Sequence, residues 1–99
     1  MVNVKIGSKE YQLDSLTSQD LKELEVKKVE DKLTDYDYAH AVILHAVLKF
    51  NPDIKGMTLK EFMGIFPLVG IEEKLEEIGD IIGVGFRKGI GKLETGVKK

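Results

Sequence analysis

Val2-Asn3-Val4-Lys5-Ile6-Gly7-Ser8-Lys9-Glu10-Tyr11-Gln12-Leu13, residues 2–13, is the stretch that decides the fold. Apolar and polar side chains alternate on either side of Gly7-Ser8, the pattern of two strands joined by a two-residue turn. That turn sets Ile6 opposite Lys9, Val4 opposite Tyr11 and Val2 opposite Leu13. One face then carries Val2, Val4, Ile6, Tyr11 and Leu13, and the other Asn3, Lys5, Glu10 and Gln12. A lone hairpin is marginal in water, so the apolar face needs a helix or another chain to cover it.

Everything beyond Thr17 has the spacing of helices. Thr17 or Ser18 caps a first helix, with Asp20 near its positive end and Leu21, Leu24 and Val29 facing inward. Its other face, Glu25, Lys27, Lys28, Glu30, Asp31 and Lys32, mixes both signs, as a solvated surface does. Thr34 stands three residues before Asp37, a relative of the capping box, and opens a second helix running to about Phe50. Tyr36, Ala39, Val42, Ile43, Ala46, Val47 and Phe50 fill one side of it, while Ala41, Leu44 and Leu48 spill onto another. It is therefore expected to be central, with Val42, Ile43, Ala46 and Val47 among the most buried positions.

Asn51-Pro52-Asp53 stops that helix, because proline has no amide donor and disfavours helical geometry in its predecessor. Thr58 with Glu61 forms a capping box for a short third helix bearing Leu59, Phe62, Met63 and Phe66, which Pro67 ends. From Ile71 the apolar residues Ile71, Leu75, Ile78, Ile82, Phe86, Ile90, Leu93 and Val97 step by three and four. The spacing predicts a fourth helix reaching almost to the C-terminus. Gly79, Gly83, Gly85, Gly89 and Gly91 interrupt it, each costing roughly 1 kcal/mol against alanine, so its end should be weak unless a partner orders it. The fold class is α+β, mostly α: one domain of residues 1–99, with a hairpin over 1–14, a helical body over 17–70 and an amphipathic helix over 71–99.

At 99 residues the chain can bury roughly two thirds of its extended surface, enough for a core without staples. It has no cysteine, which excludes disulfides, thiolate zinc sites and thiol nucleophiles. No stretch approaches the roughly 20 apolar residues of a membrane span, and the first residues do not read as a signal peptide, so the expectation is a soluble cytoplasmic protein. A formal charge of −2 disfavours a dedicated nucleic-acid binder. The acids concentrate in Glu72 to Asp80 and the bases in Arg87, Lys88, Lys92, Lys98 and Lys99, an order that suits a helix dipole.

No motif carries chemistry. Around Gly83 to Lys92 a phosphate loop fails at Phe86 and Leu93, and a dinucleotide fingerprint fails at Lys88. His40 and His45 lie about 140° apart on one helix and cannot share an ion. Asp37 and His40 could form a local pair, and Tyr36 or Tyr38 could join them in a small active site, but nothing supplies an oxyanion site or a cleft. A helix-turn-helix reading of Thr58 to Phe66, Pro67 to Gly70 and Ile71 onward would set Glu72, Glu73, Glu76 and Glu77 against phosphates. No cofactor or metal is expected. The apolar stripe and basic end of Ile78 to Lys99 would also suit a membrane surface, which Glu72 to Glu77 oppose.

The opening residues Val4, Ile6, Gly7, Lys9, Glu10, Tyr11 and Leu13, followed by Leu21 and Leu24, resemble the start of the small tail assembly chaperones of long-tailed bacteriophages. The resemblance covers about a quarter of the chain and describes a hairpin and a helix start. It implies a non-enzymatic protein that binds the long tape measure protein, keeps its hydrophobic segments soluble and self-associates during tail assembly, in the host cytoplasm. A generic protein-interaction adaptor is the other reading of the same surfaces. The residues expected at a partner or oligomer interface are Val4, Tyr11, Phe62, Met63, Phe66, Leu68, Val69, Ile82, Phe86 and Ile90.

Overall fold

A computed structural model describes residues 1–85, in which two strands and four helices follow one another in chain order. Strands β1 (Val2–Ile6) and β2 (Lys9–Leu13) pair antiparallel in the register the alternation dictates, Val2 with Leu13, Val4 with Tyr11 and Ile6 with Lys9. Gly7 has φ +67° and Ser8 does not enter the left-handed region, the combination of a type II′ turn. A Cβ on Gly7 would lie 2.9 Å from the Ile65 carbonyl oxygen, so the turn lies directly on the backbone at the end of the third helix. Val4, Ile6, Tyr11 and Leu13 are buried, whereas Val2, at the open end of the ladder, is 49% exposed.

Three capping boxes start three helices. In each, a threonine hydroxyl accepts from the backbone amide three residues on while that residue's carboxylate accepts from the threonine amide: Thr17 with Asp20, Thr34 with Asp37 and Thr58 with Glu61. They open α1 (Ser18–Glu30), α2 (Asp35–Phe50) and α3 (Leu59–Ile65). Lys32, with φ +55°, turns the chain between α1 and α2. In α1, Leu24 is buried and Leu21 half-buried, but Val29 is 77% exposed, because five residues past Leu24 it stands about 140° round the helix from the inward face.

Helix α2 is the centre of the molecule. Val42, Ile43, Ala46 and Val47 have no exposed surface, and they pack among Leu13, Leu24, Phe62 and Ile78 in one continuous core. Asn51 ends α2 and serves a second purpose. Its side-chain amide donates to the Val47 carbonyl at 2.7 Å, satisfying a helix-end acceptor, and to the Gln12 carbonyl at 2.8 Å, while its oxygen accepts from the Gln12 amide at 2.9 Å. The asparagine thus stands in for a neighbouring strand along the outer edge of β2.

Helix α4 (Ile71–Ile82) buries Ile71, Leu75, Ile78 and Ile82 and exposes Glu72, Glu73, Glu76, Glu77 and Asp80. It does not continue toward the C-terminus as the spacing of apolar residues predicts. Gly83 enters the left-handed region at φ +86°, and the amides of Gly83 and Val84 both donate to the Gly79 carbonyl, at 2.8 and 3.0 Å. This is a glycine-closed helix end, sealed by buried Val84. The Ile82 carbonyl then accepts from the Leu16 amide at 3.0 Å, tying the end of α4 to the exit of the hairpin. Phe86, Ile90, Leu93 and Val97 lie outside the described residues. No helix among the described residues is long and apolar enough to cross a membrane.

Candidate functional site

The second apolar stripe of α2 faces the seam between α1 and the start of α3, where Ala41 and Leu44 are buried and Leu48 is half-buried. Ala41, Leu44 and Leu48 are spaced by three and four, so they share a face turned away from the stripe that fills the core. With Leu24 of α1, Leu33 of the α1–α2 turn, and Met57 and Leu59 at the start of α3, they line a groove of about 480 Å³. That volume falls within the roughly 300–1,000 Å³ of small-ligand and anchor-residue pockets. Lys27 and Asp31 stand on its rim, 3.5 Å apart and exposed. Apolar walls with a charged rim suit an apolar side chain or a short helical face rather than a polar substrate.

His45 joins this groove to a polar clamp between α1 and α2. Its ring lines the groove, while its Nε2 lies 3.0 Å from Asp20 Oδ1. One turn further along α2, Lys49 Nζ donates to Asp20 Oδ2 at 2.6 Å. The same carboxylate accepts from the Thr17 amide at 2.8 Å and the Thr17 hydroxyl at 3.0 Å. Asp20 therefore closes the α1 cap and holds α1 to α2 with one side chain, which is only 12% exposed. The Lys49 ammonium above all, then the Thr17 amide and His45, hold its carboxyl well below the usual carboxylate range, against the opposing effect of burial.

A second link between these helices lies beside it. The Tyr38 hydroxyl donates to Glu25 at 3.4 Å, Lys28 lies over the Tyr38 ring at 5.0 Å, and Lys28 pairs with Asp35 at 2.9 Å. Burial first, then the Glu25 carboxylate, pushes the Tyr38 phenol up to about 12. Glu25 and Lys28 are thus helix fasteners rather than part of a purely solvated face.

The interface residues expected from the sequence divide into three groups. Val4, Tyr11, Phe62, Phe66 and Ile82 are core, and Phe62 has no exposed surface at all. The hairpin face and α4 use their apolar atoms internally, which corrects the expectation that these side chains await a partner. Met63 is half-buried, while Leu68 and Val69 are exposed in the turn before α4, Val69 to 92%. Phe86 and Ile90 lie outside the described residues.

The Asp37–His40 pair does not form. Asp37 is engaged in the Thr34 cap, and His40 Nδ1 donates instead to the Tyr36 carbonyl at 2.9 Å. The His40 ring is buried between Tyr36 and Phe66, with ring centroids 4.6 and 5.1 Å away. Tyr38 points to Glu25, so of the four residues weighed for a small active site only Tyr36 and His40 meet, and Asp37 and Tyr38 are engaged elsewhere. No group of three or more potential ligands among the described residues could hold a metal ion.

Sequence reasoning placed Asp20 near the positive end of α1 and missed both its part in the Thr17 capping box and its partners on α2. A signal was present: His45 and Lys49 are four residues apart, on one face of an otherwise apolar helix, and such a face needs an acid opposite. The chain matches no protein-family model, no curated protein and no solved structure.

Proposed function

We propose that this protein is a non-enzymatic assembly chaperone that receives an apolar helical segment of a client in the groove between α1, α2 and the start of α3. The groove is the observation that carries this reading: the regular apolar stripe Ala41, Leu44 and Leu48 of the central helix lines it, and Leu48, Met57 and Leu59 there are only half-buried. Such a stripe accepts side chains at helical spacing from a partner helix. Flexible Met57 at the mouth suits clients of varied shape. The exposed pair Leu68 and Val69 extends the apolar surface near α4. With the resemblance of the opening residues to phage tail assembly chaperones, the client is the tape measure protein of a long-tailed phage, and self-association accompanies its binding.

The test is binding of a labelled amphipathic peptide, drawn from an apolar helical stretch of a tape measure protein, followed by fluorescence anisotropy. Leu48→Glu and Met57→Glu, both at half-buried groove positions, should weaken binding at least tenfold while the circular dichroism spectrum stays that of the parent. Equal binding by parent and both variants refutes the groove as the client site. Coexpression with tape measure fragments should keep them soluble with the parent chain and not with the variants.

A further inference from the structure

We infer that β1 is a docking edge for a second copy of this chain, and that two copies join through their β1 strands into one antiparallel four-stranded sheet. This gives the self-association proposed above a surface, and it rests on that reading for the expectation that copies associate.

The argument starts from the two edges of the hairpin. In the observed register Val2, Val4 and Ile6 turn their amides and carbonyls toward β2, so Asn3 and Lys5 turn theirs outward. Neither outward pair has a partner among the described residues, and both residues are exposed. The opposite edge is blocked at Gln12, where Asn51 occupies both the outward amide and the outward carbonyl, so a second strand cannot run along it past that residue. An open β1 edge beside a β2 edge blocked at Gln12 favours pairing through β1 alone, and pairing of like edges stops at two copies.

The chemistry of β1 selects a copy of itself and fixes the register. Antiparallel pairing centred on Val4 uses all five strand residues and sets Asn3 opposite the partner's Lys5 twice over, four backbone hydrogen bonds in all. A register moved two residues toward the turn would set Lys5 against the same lysine of the other copy, a like-charge pair. In the centred register each Lys5 lies between Glu10 of its own hairpin and an asparagine of the partner. On the inner face, Val2 comes opposite the partner's Ile6. Val2 is the one apolar residue of that face left largely exposed in a single chain, and the pairing covers it.

Sedimentation equilibrium and single-cysteine cross-linking test this directly. The parent chain should show twice the mass of one chain. Asn3→Pro removes an outward amide that the hairpin does not use, so it should return the mass to one chain with an unchanged melting midpoint. The chain has no cysteine of its own, so Asn3→Cys and Lys5→Cys report cleanly. Directly opposed residues in such a pair have Cα atoms about 5.5 Å apart, within disulfide reach. Mixed in a redox buffer, the two variants should form the mixed disulfide above the share that random pairing gives. A parent chain of single mass at high concentration, or disulfides in random proportion, overturns the inference. Peptide binding on the same proteins separates the two readings: a monomer that binds peptide overturns the edge and leaves the groove, while a β1-linked dimer that binds none does the reverse.

Discussion

Asp20→Asn removes one charge from the clamp while keeping its shape, and its consequences can be worked from the geometry. The carboxylate accepts from the Thr17 amide and hydroxyl, His45 and Lys49. A hydrogen bond to a charged group contributes about 1.5–3 kcal/mol against about 1 kcal/mol for a neutral one. Lys49 is 37% exposed and His45 30%, so solvent screens both, and the loss of charge is put at about 0.5 kcal/mol for each. The amide also presents donors to donors, and its cap is weaker, which together add about 1 kcal/mol. The sum is about 2 kcal/mol, or a melting midpoint lowered by roughly 10 °C in a domain of this size. Urea unfolding at pH 7 reads it directly.

The pH dependence is the sharper part of the prediction. An unfolded aspartate titrates near about 3.9, and the folded Asp20 carboxyl is held well below that. Its contribution is therefore complete above the unfolded value and is lost as pH falls through the folded one. The stability gap between parent and Asp20→Asn should be constant from pH 7 to pH 5 and narrow progressively below about pH 4. Measuring both chains in a His45→Gln background removes the other titratable partner of Asp20. A gap under about 0.5 kcal/mol at pH 7, or one that stays constant to about pH 2.5, refutes the clamp.

Three further outcomes follow from the same packing. Gly7→Ala and Gly83→Ala both place a side chain at positive φ, but only at position 7 does the new Cβ meet backbone, the Ile65 oxygen at 2.9 Å. Chemical unfolding should show Gly83→Ala costing about 1 kcal/mol and Gly7→Ala at least twice that; equal losses would show that the hairpin turn is not seated on α3. Phe66→Asp puts a charge among Phe62, His40 and the core and should abolish cooperative thermal unfolding, while Val69→Asp, in the exposed turn, should shift the midpoint by no more than about 3 °C. Asn51→Leu strips the Gln12 edge and the Val47 carbonyl of their partners, which should cost about 2–3 kcal/mol and speed hydrogen exchange at the Gln12 amide.

The elements that the sequence made legible are those whose signals are local. The hairpin register follows from alternation plus a two-residue turn, the Thr34 and Thr58 caps from an acid three residues on, and the start of α1 from Thr17 or Ser18 with an acid near the positive end, so those boundaries needed no tertiary information. The end of α4 was misread because a stripe repeating every three or four residues continues past Gly83. A left-handed glycine with a buried residue after it ends a helix whatever the later spacing, and Gly83-Val84 is such a pair. Asp20 was half legible for a related reason. Its cap is local, but His45 and Lys49 lie 25 and 29 residues away, and only the crossing of α1 and α2 brings them to it.

That Phe62 and Phe66 are core, while Leu68 and Val69 stay exposed, has a physical origin in how a small domain divides its apolar residues. Apolar side chains clustered around Pro67 looked like a surplus because α2 already seemed to supply a core. In the folded chain the hairpin, α3 and α4 each contribute one stripe inward, and Phe62 and Phe66 are consumed in joining them. The groove is lined instead by α2, whose apolar residues occupy two faces: one fills the core, and the other, Ala41, Leu44 and Leu48, lies at the seam with α1 and the start of α3. A helix apolar on two faces needs cover on both, and on the second face of α2 Ala41 and Leu44 are buried while Leu48 is left half-buried in the groove. The clamp of Asp20 on His45 and Lys49 fixes α1 against α2 beside that stripe, and so sets the width of the groove that a client helix would have to fit.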